Sequence, residues 1–255
     1  MNASPDPTAS PSGRSHAPWW ARLLDPTRHL REVQRQVLPR LVRLNRDGES
    51  IVGAATAIAI AIVLQYLLPR RVTQYQRWLF PVVAGILLIA LVAGHGTRIN
   101  RASRPVRAIT LFTIVLMATA NTFAGLRLVR DLIDSQGIRA PGRLLFTGAA
   151  IWLTNVIVFA LVYWMFDRGG PAARFLVKGT SPDLLFPQQA LEHGSELWEP
   201  VFFDYFYTSF TNATAFSPTD VMPLSRWAKL AMMVESAVSL SLAILVVARA
   251  VNILH

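Results

Sequence analysis

Long apolar runs separated by short arginine-bearing breaks dominate the chain from residue 51 onward. Four come in succession: 51–69 (IVGAATAIAIAIVLQYLLP), 79–94 (LFPVVAGILLIALVAG), 108–126 (AITLFTIVLMATANTFAGL) and 144–166 (LLFTGAAIWLTNVIVFALVYWMF). Each approaches the ~20 residues needed to cross a hydrocarbon core about 30 Å thick, and each is flanked by arginine. The second is the shortest and reaches across when extended from Arg77 to His95 with snorkelling ends. A fifth run, 227–253, carries Lys229 and Glu235 near its start and Arg249 near its end. The pattern predicts an all-α integral membrane protein with five spanning helices.

Two regions break this pattern. Residues 167–200 are polar, rich in Gly, Pro and acids, and read as a surface connection. Residues 200–216 (PVFFDYFYTSFTNATAF) are aromatic and apolar but too short to cross, and their Thr and Asn content rises toward the end. That shape predicts a half-helix that enters a membrane and turns back. Backbone without regular structure is tolerated at membrane depth only where protein buries it or water reaches it. The stretch after the half-helix, TNATAFSPTD at 211–220, would therefore line an aqueous path.

Upstream of the spans, Leu30, Val33, Val37, Leu41 and Leu44 recur at spacings of three and four among arginines, as in an amphipathic helix. Such a helix lies on a bilayer surface or packs on the rest of the protein; Pro26 and Pro39 kink or divide it. The opening residues 1–18, rich in Pro, Ser and Ala, read as a disordered tail. The expected organisation is thus a tail (1–18), a basic interfacial segment (19–50), a three-helix membrane region (51–143) and a C-terminal unit (144–255).

Composition agrees with the membrane class: 53% of the 255 residues are hydrophobic and 16% are charged. The net charge of +10 is almost all arginine outside the apolar runs, which fits anionic lipid rather than nucleic acid. There are no cysteines, and His16, His29, His95, His193 and His255 lack ligand spacing, so no metal site or cofactor is expected. No HExxH, no Ser–His pair within one motif and no paired carboxylates in the spans point to an enzyme.

The segment YFYTSFTNATAFSPTDVMPLSRWAKLAMMVESAVSLSLAILVVARAVNIL resembles the pore module of the two-transmembrane potassium-channel-like superfamily. Thr214 falls at the position of that family's filter threonine, Asp220 at its aspartate, Pro223 at its proline and Glu235 at its inner-helix glutamate. The segment is also similar to uncharacterised bacterial five-helix membrane proteins with a Thr-Phe-x-x-Ser-Asp-Val loop. The likeness covers about fifty residues at the C-terminal end, and the first 140 residues match only in layout. It implies an outer helix, a pore helix with its loop and an inner helix, four copies sharing one axis, and inorganic cations as the permeant.

The loop departs from the family where the family places its glycines. Ala215, Phe216, Ser217, Pro218 and Thr219 stand there, and Pro218 fixes its own φ and removes an N–H. A ladder of backbone carbonyls is not expected. The expected coordinating or attracting groups are the hydroxyls of Thr214, Ser217 and Thr219, the Asn212 amide and the Asp220 carboxylate. In the alternative, the loop is a structural turn, with Asp220 capping the next helix or pairing with Arg226. Glu235, an acid inside a span, faces a cavity or braces the half-helix through Tyr205 or Thr208. Gln65, Asn121, Asn155, Ser236, Ser239 and Ser241 read as interhelical hydrogen bonds.

Two function classes remain: an oligomeric, channel-like cation pathway in the plasma (inner) membrane, and a non-conducting scaffold or sensor that retains the same fold. Sidedness stays open. Arginine placement weakly favours a cytoplasmic N-terminus, whereas the resemblance implies a loop entering from outside. The 167–226 connection holds seven acids against four basic residues.

Overall fold

A computed structural model describes residues 49–73, 78–95, 98–99, 104–133, 140–176, 181–190, 198–214 and 220–254. The expected tail and basic amphipathic helix lie outside these residues, as do Ser217 and Thr219.

The described residues are nearly all helical. α1 is Val52–Leu67, α2 the single turn Arg70–Thr73, α3 Leu79–His95, α4 Arg104–Ile133 and α5 Pro141–Phe166. A 3-10 turn, Asp167–Gly169, leads into α6, Pro171–Leu176. α7 is Phe202–Thr214 and α8 is Arg226–Leu254. Two-residue strands close two connections: β1 (Glu49–Ser50) pairs antiparallel with β2 (Arg98–Ile99), and β3 (Leu184–Leu185) with β4 (Met222–Pro223).

Three of these helices, α4, α5 and α8, are long and apolar enough to cross a membrane. α1 and α3, at 16 and 17 residues, are apolar but shorter. At 1.5 Å per residue they extend about 25 Å, a little less than the hydrocarbon thickness.

α5 is the centre of the bundle, touched by α1, α4, α7 and α8. In its most apolar window 61% of the residues are buried, against 28% for α8, which lies at the periphery. Small side chains bring the helices together. Ala54, Ala57 and Ala61 turn one face of α1 toward the core that holds Ile157, Leu161 and Trp164 of α5. Gly148 lets α5 approach α8 closely, since a Cβ there would lie 2.8 Å from both Val246 methyl carbons.

The helices alternate in direction. One end of the bundle gathers the start of α1, held through β1 and β2 to the start of α4, and the end of α5, where Arg107 donates to the Gly169 carbonyl at 2.9 Å. α7 and α8 begin at this same end. The opposite end carries the end of α1, α2, the start of α3, the end of α4 and the start of α5.

The connection after α5 differs from the expected surface loop. Asp167 and Leu184 are fully buried there, with Phe186 and Arg174 nearly so. α5 ends because Arg168, Gly169 and Gly170 adopt positive φ values of 50°, 81° and 98°. The chain then folds back over the helix ends. At Gly170 a Cβ would meet the Met165 carbonyl oxygen at 2.8 Å, so only glycine fits.

Candidate functional site

α7 puts its polar atoms inward. Tyr205, Ser209 and Asn212 follow one another at spacings of four and three, which places them on one helical face with buried Thr208 and Ala213 beside it. Phe203, Tyr207 and Phe210 occupy the exposed face, Phe203 at 71%. A half-helix of this pattern requires partners for its inner polar groups, and two buried acids provide them.

At the entry end the acid is Asp167. It accepts from the Tyr205 hydroxyl at 2.6 Å and from the Asp183 and Leu184 backbone N–H groups at 2.9 and 3.3 Å. Arg174 lies over the Tyr205 ring at 5.0 Å and donates to the Trp164 carbonyl at 2.7 Å. Asp183 accepts in turn from the Arg168 N–H at 3.0 Å and from the Trp227 indole of α8 at 2.8 Å. Arg168 forks onto Glu199, with the shorter contact 2.6 Å. Burial works against the Arg168 charge, yet the Glu199 carboxylate beside it holds the guanidinium pKa above its ordinary value. The ends of α5, α7 and α8 are thereby tied into one polar hub.

At the far end of α7 the acid is Glu235 of α8, fully buried. It accepts from the Tyr163 hydroxyl of α5 at 2.6 Å, from the Asn212 amide at 2.7 Å and from the Ser209 hydroxyl in a very short contact. Ser209 also lies 2.7 Å from the Val156 carbonyl of α5, and Asn212 donates to the Met232 carbonyl of α8 at 3.0 Å. The Ser236 hydroxyl donates to the Asn212 side-chain oxygen at 3.1 Å. A further contact between the same helices joins the Asn155 amide to the Ser239 hydroxyl at 3.2 Å.

Geometry follows from these contacts. Tyr205 sits at the level of the end of α5, whereas Ser209 reaches Val156, ten residues before that end, and Asn212 reaches Met232, six residues into α8. α7 itself is about 20 Å long. After it the chain reappears at Asp220, forms β4 on β3 beside Asp167, and starts α8. The chain therefore enters and leaves at the same end of α5.

The expected site residues separate into two groups. Asn212 and Glu235 are brought together, and the expected bracing of α7 by Glu235 runs through Ser209 and Asn212 rather than Tyr205 or Thr208. Tyr205 belongs to Asp167, and the Thr208 hydroxyl bonds back to the Asp204 carbonyl at 2.8 Å. The Thr214 hydroxyl donates to the Thr211 carbonyl of its own helix at 2.8 Å. Asp220 is exposed, and among the described residues it makes no ion pair with Arg226. Ser225 occupies the capping position of α8, its hydroxyl accepting from the Ala228 N–H at 3.4 Å.

Asp167, Tyr163, Ser209 and Asp183 were not singled out from the sequence. The inward face of α7 was readable from the 205, 209 and 212 spacing. The pairing of Asp167 with a residue 38 positions away was not.

Gln65 and Asn121 also differ from expectation. Both are buried, but among the described residues the Gln65 Nε2 and the Asn121 Oδ1 have no hydrogen-bond partner. Among the described residues no group of three His, Cys, Asp or Glu is arranged to hold a metal ion. No protein-family model, curated protein or solved structure matches the chain.

Proposed function

We propose that the chain is a multi-pass integral membrane protein of the plasma (inner) membrane, with five spans and α7 as a re-entrant half-helix. Four copies share an axis, and the stretch after α7 borders a cation pathway. The observation that carries this reading is the return of the chain to its point of entry, with α7 fixed at its start by Asp167 and at its end by Glu235. A segment of that kind holds irregular backbone at membrane depth only if water or protein covers it.

The periphery supports the oligomer. α8 exposes Leu230, Met233, Ile244 and Val247 along its length, and a neighbouring copy or lipid would cover them. Asp220, exposed at the start of the returning chain, is the group that would draw cations to the mouth. The hydroxyls of Ser217 and Thr219 follow as coordinating candidates in the intervening loop.

One observation favours the second reading, a non-conducting scaffold. The Asn212 amide and the Thr214 hydroxyl are both spent on internal partners, which leaves fewer groups for an ion. Flux of potassium and sodium into liposomes holding the purified protein separates the two. The channel reading expects flux that falls severalfold in Asp220→Asn. An intact tetramer without flux assigns the protein to the scaffold class, and a strict monomer removes the shared axis altogether.

A further inference from the structure

Ser209 of α7 stands between two acceptors and has one proton to give. Its Oγ lies 2.7 Å from the Val156 carbonyl of α5 and also contacts Oε1 of Glu235. A carbonyl oxygen and an ionised carboxylate only accept, so one hydroxyl proton cannot fill both contacts. At 2.7 Å the Val156 contact has the length of an undivided O–H···O bond. Ser236 shows the shared case, its hydroxyl facing two oxygens of Asn212 at 3.1 Å each.

The neighbours of Ser209 have no proton to spare. Asn212 spends its two amide protons on Oε2 of Glu235 and on the Met232 carbonyl, at 2.7 and 3.0 Å. Tyr163 spends its single proton on Oε2 at 2.6 Å. Five hydrogen bonds therefore draw on four protons, two from Asn212 and one each from Tyr163 and Ser209. The fifth is available from Glu235 itself.

No cation neutralises the acid instead. Among the described residues Glu235 makes no ion pair. α8 packs chiefly on α5, α7, α4 and β4. Toward Glu235, α5 presents Tyr163 and α7 presents Ser209 and Asn212, while Asp204 and Tyr205 lie nearer the start of α7. The charges of α4, Arg104, Arg107, Arg127, Arg130 and Asp131, lie toward its two ends, and β4 carries none. On α8 itself, Arg226 and Lys229 are exposed near its start, and Arg249 lies near its other end. Residues 215–219 are Ala, Phe, Ser, Pro and Thr and bring no charge. A buried acid without a counter-charge avoids the cost of ionisation by keeping its proton. Asn212 and Ser236 are partly exposed, which leaves Glu235 one side chain from the surface near the end of α7.

We propose that Glu235 is a proton-binding site that works as a latch on α7. With the proton bound, the acid donates to Ser209 and Ser209 donates to the Val156 carbonyl, so one chain of hydrogen bonds links α8, α7 and α5. With the proton released to solvent, the carboxylate takes the Ser209 proton, and the link from α7 to Val156 is lost. The latch concerns how α7 is held and does not rest on conduction.

Infrared difference spectra of the protein in detergent, parent against Glu235→Gln, isolate the carbonyl stretch of a protonated carboxyl group at this position. That band is expected at neutral pH, with carboxylate bands replacing it as the pH is raised. Tyr163→Phe removes a donor to the carbonyl oxygen of the acid, so it keeps the band and moves it to higher frequency. This shift identifies the band without the Gln variant, should that variant fail to fold. The folded state keeps a proton that ionisation removes, so stability is lost as pH rises through the same range. The thermal transition of the parent is expected to fall there by about 2–4 °C more than that of Glu235→Gln, the scale of one hydrogen bond. Absence of the band at neutral pH overturns the proposal. A band that titrates while parent and Glu235→Gln follow the same stability profile overturns the latch.

Discussion

The two ends of the bundle treat most of their buried polar groups in opposite ways, although the Arg168 Nε at the α7 end also lacks a hydrogen-bond partner among the described residues. Around α7, Asp167 and Glu235 each collect three donors drawn from different segments, and the helices they join are closely packed. Around the end of α1, Gln65 is 7% exposed and its Nε2 is unmatched among the described residues. Inside an apolar bundle a matched polar network fixes one arrangement, because any slip leaves its members without partners. An unmatched group fixes nothing. The α7 end is accordingly the specified part of the molecule, and the α1–α3–α4 end the adaptable one.

Asp167→Ala is the most damaging way to break this contrast. It strands the Tyr205 hydroxyl and two backbone N–H groups and takes from Arg168 the farther of its two carboxylates, Asp167 at 3.6 Å, leaving Glu199. A loss of about 3–5 kcal/mol is expected, read as a collapse of the thermal transition in detergent. Glu235→Leu follows at about 3 kcal/mol, since three donors lose their acceptor, while Glu235→Gln, which keeps a carbonyl, loses less than half as much. Gly148→Ala pushes a methyl into Val246 and costs about 1–3 kcal/mol, and a second change, Val246→Ala, restores most of it.

The sign reverses at the other end. In lipid-free detergent Gln65→Leu leaves stability unchanged or raises it by up to about 1 kcal/mol, because it removes an unpaired donor. Asp220→Asn is the mildest of all, within about 0.5 kcal/mol of the parent, and under the proposed channel reading it still slows cation flux. A destabilised Gln65→Leu protein would erase the distinction between the two ends.

The helices were legible because apolar runs register directly in the sequence. The run at 144–166 became Pro141–Phe166, and 227–253 became Arg226–Leu254. α4 extends beyond the predicted 108–126 on both sides, to Arg104 and Ile133, since arginines continue a helix readily once its apolar part is formed. The short helix Phe202–Thr214 was legible from the length and composition of the run at 200–216, and Glu235 from the cost of placing an acid in an apolar helix. The 167–200 connection was misread as surface because its polarity resembles that of a solvated loop. Its polar groups turn inward instead, and only the fold brings Asp167 to Tyr205, or Asp183 to Trp227. That the Gln65 Nε2 lacks a partner among the described residues had no sequence signal, since an amide with a neighbour and one without read alike.

The chain's lack of cysteine allows a direct test of the central claim, that α7 enters and leaves on one side. Gln188→Cys, in the exposed 3-10 turn before α7, and Asp220→Cys, after it, are placed singly in the protein in sealed vesicles and treated with a membrane-impermeant thiol reagent. The account predicts that both sites react from the same side of the membrane. Reaction from opposite sides would make α7 a complete crossing and contradict it.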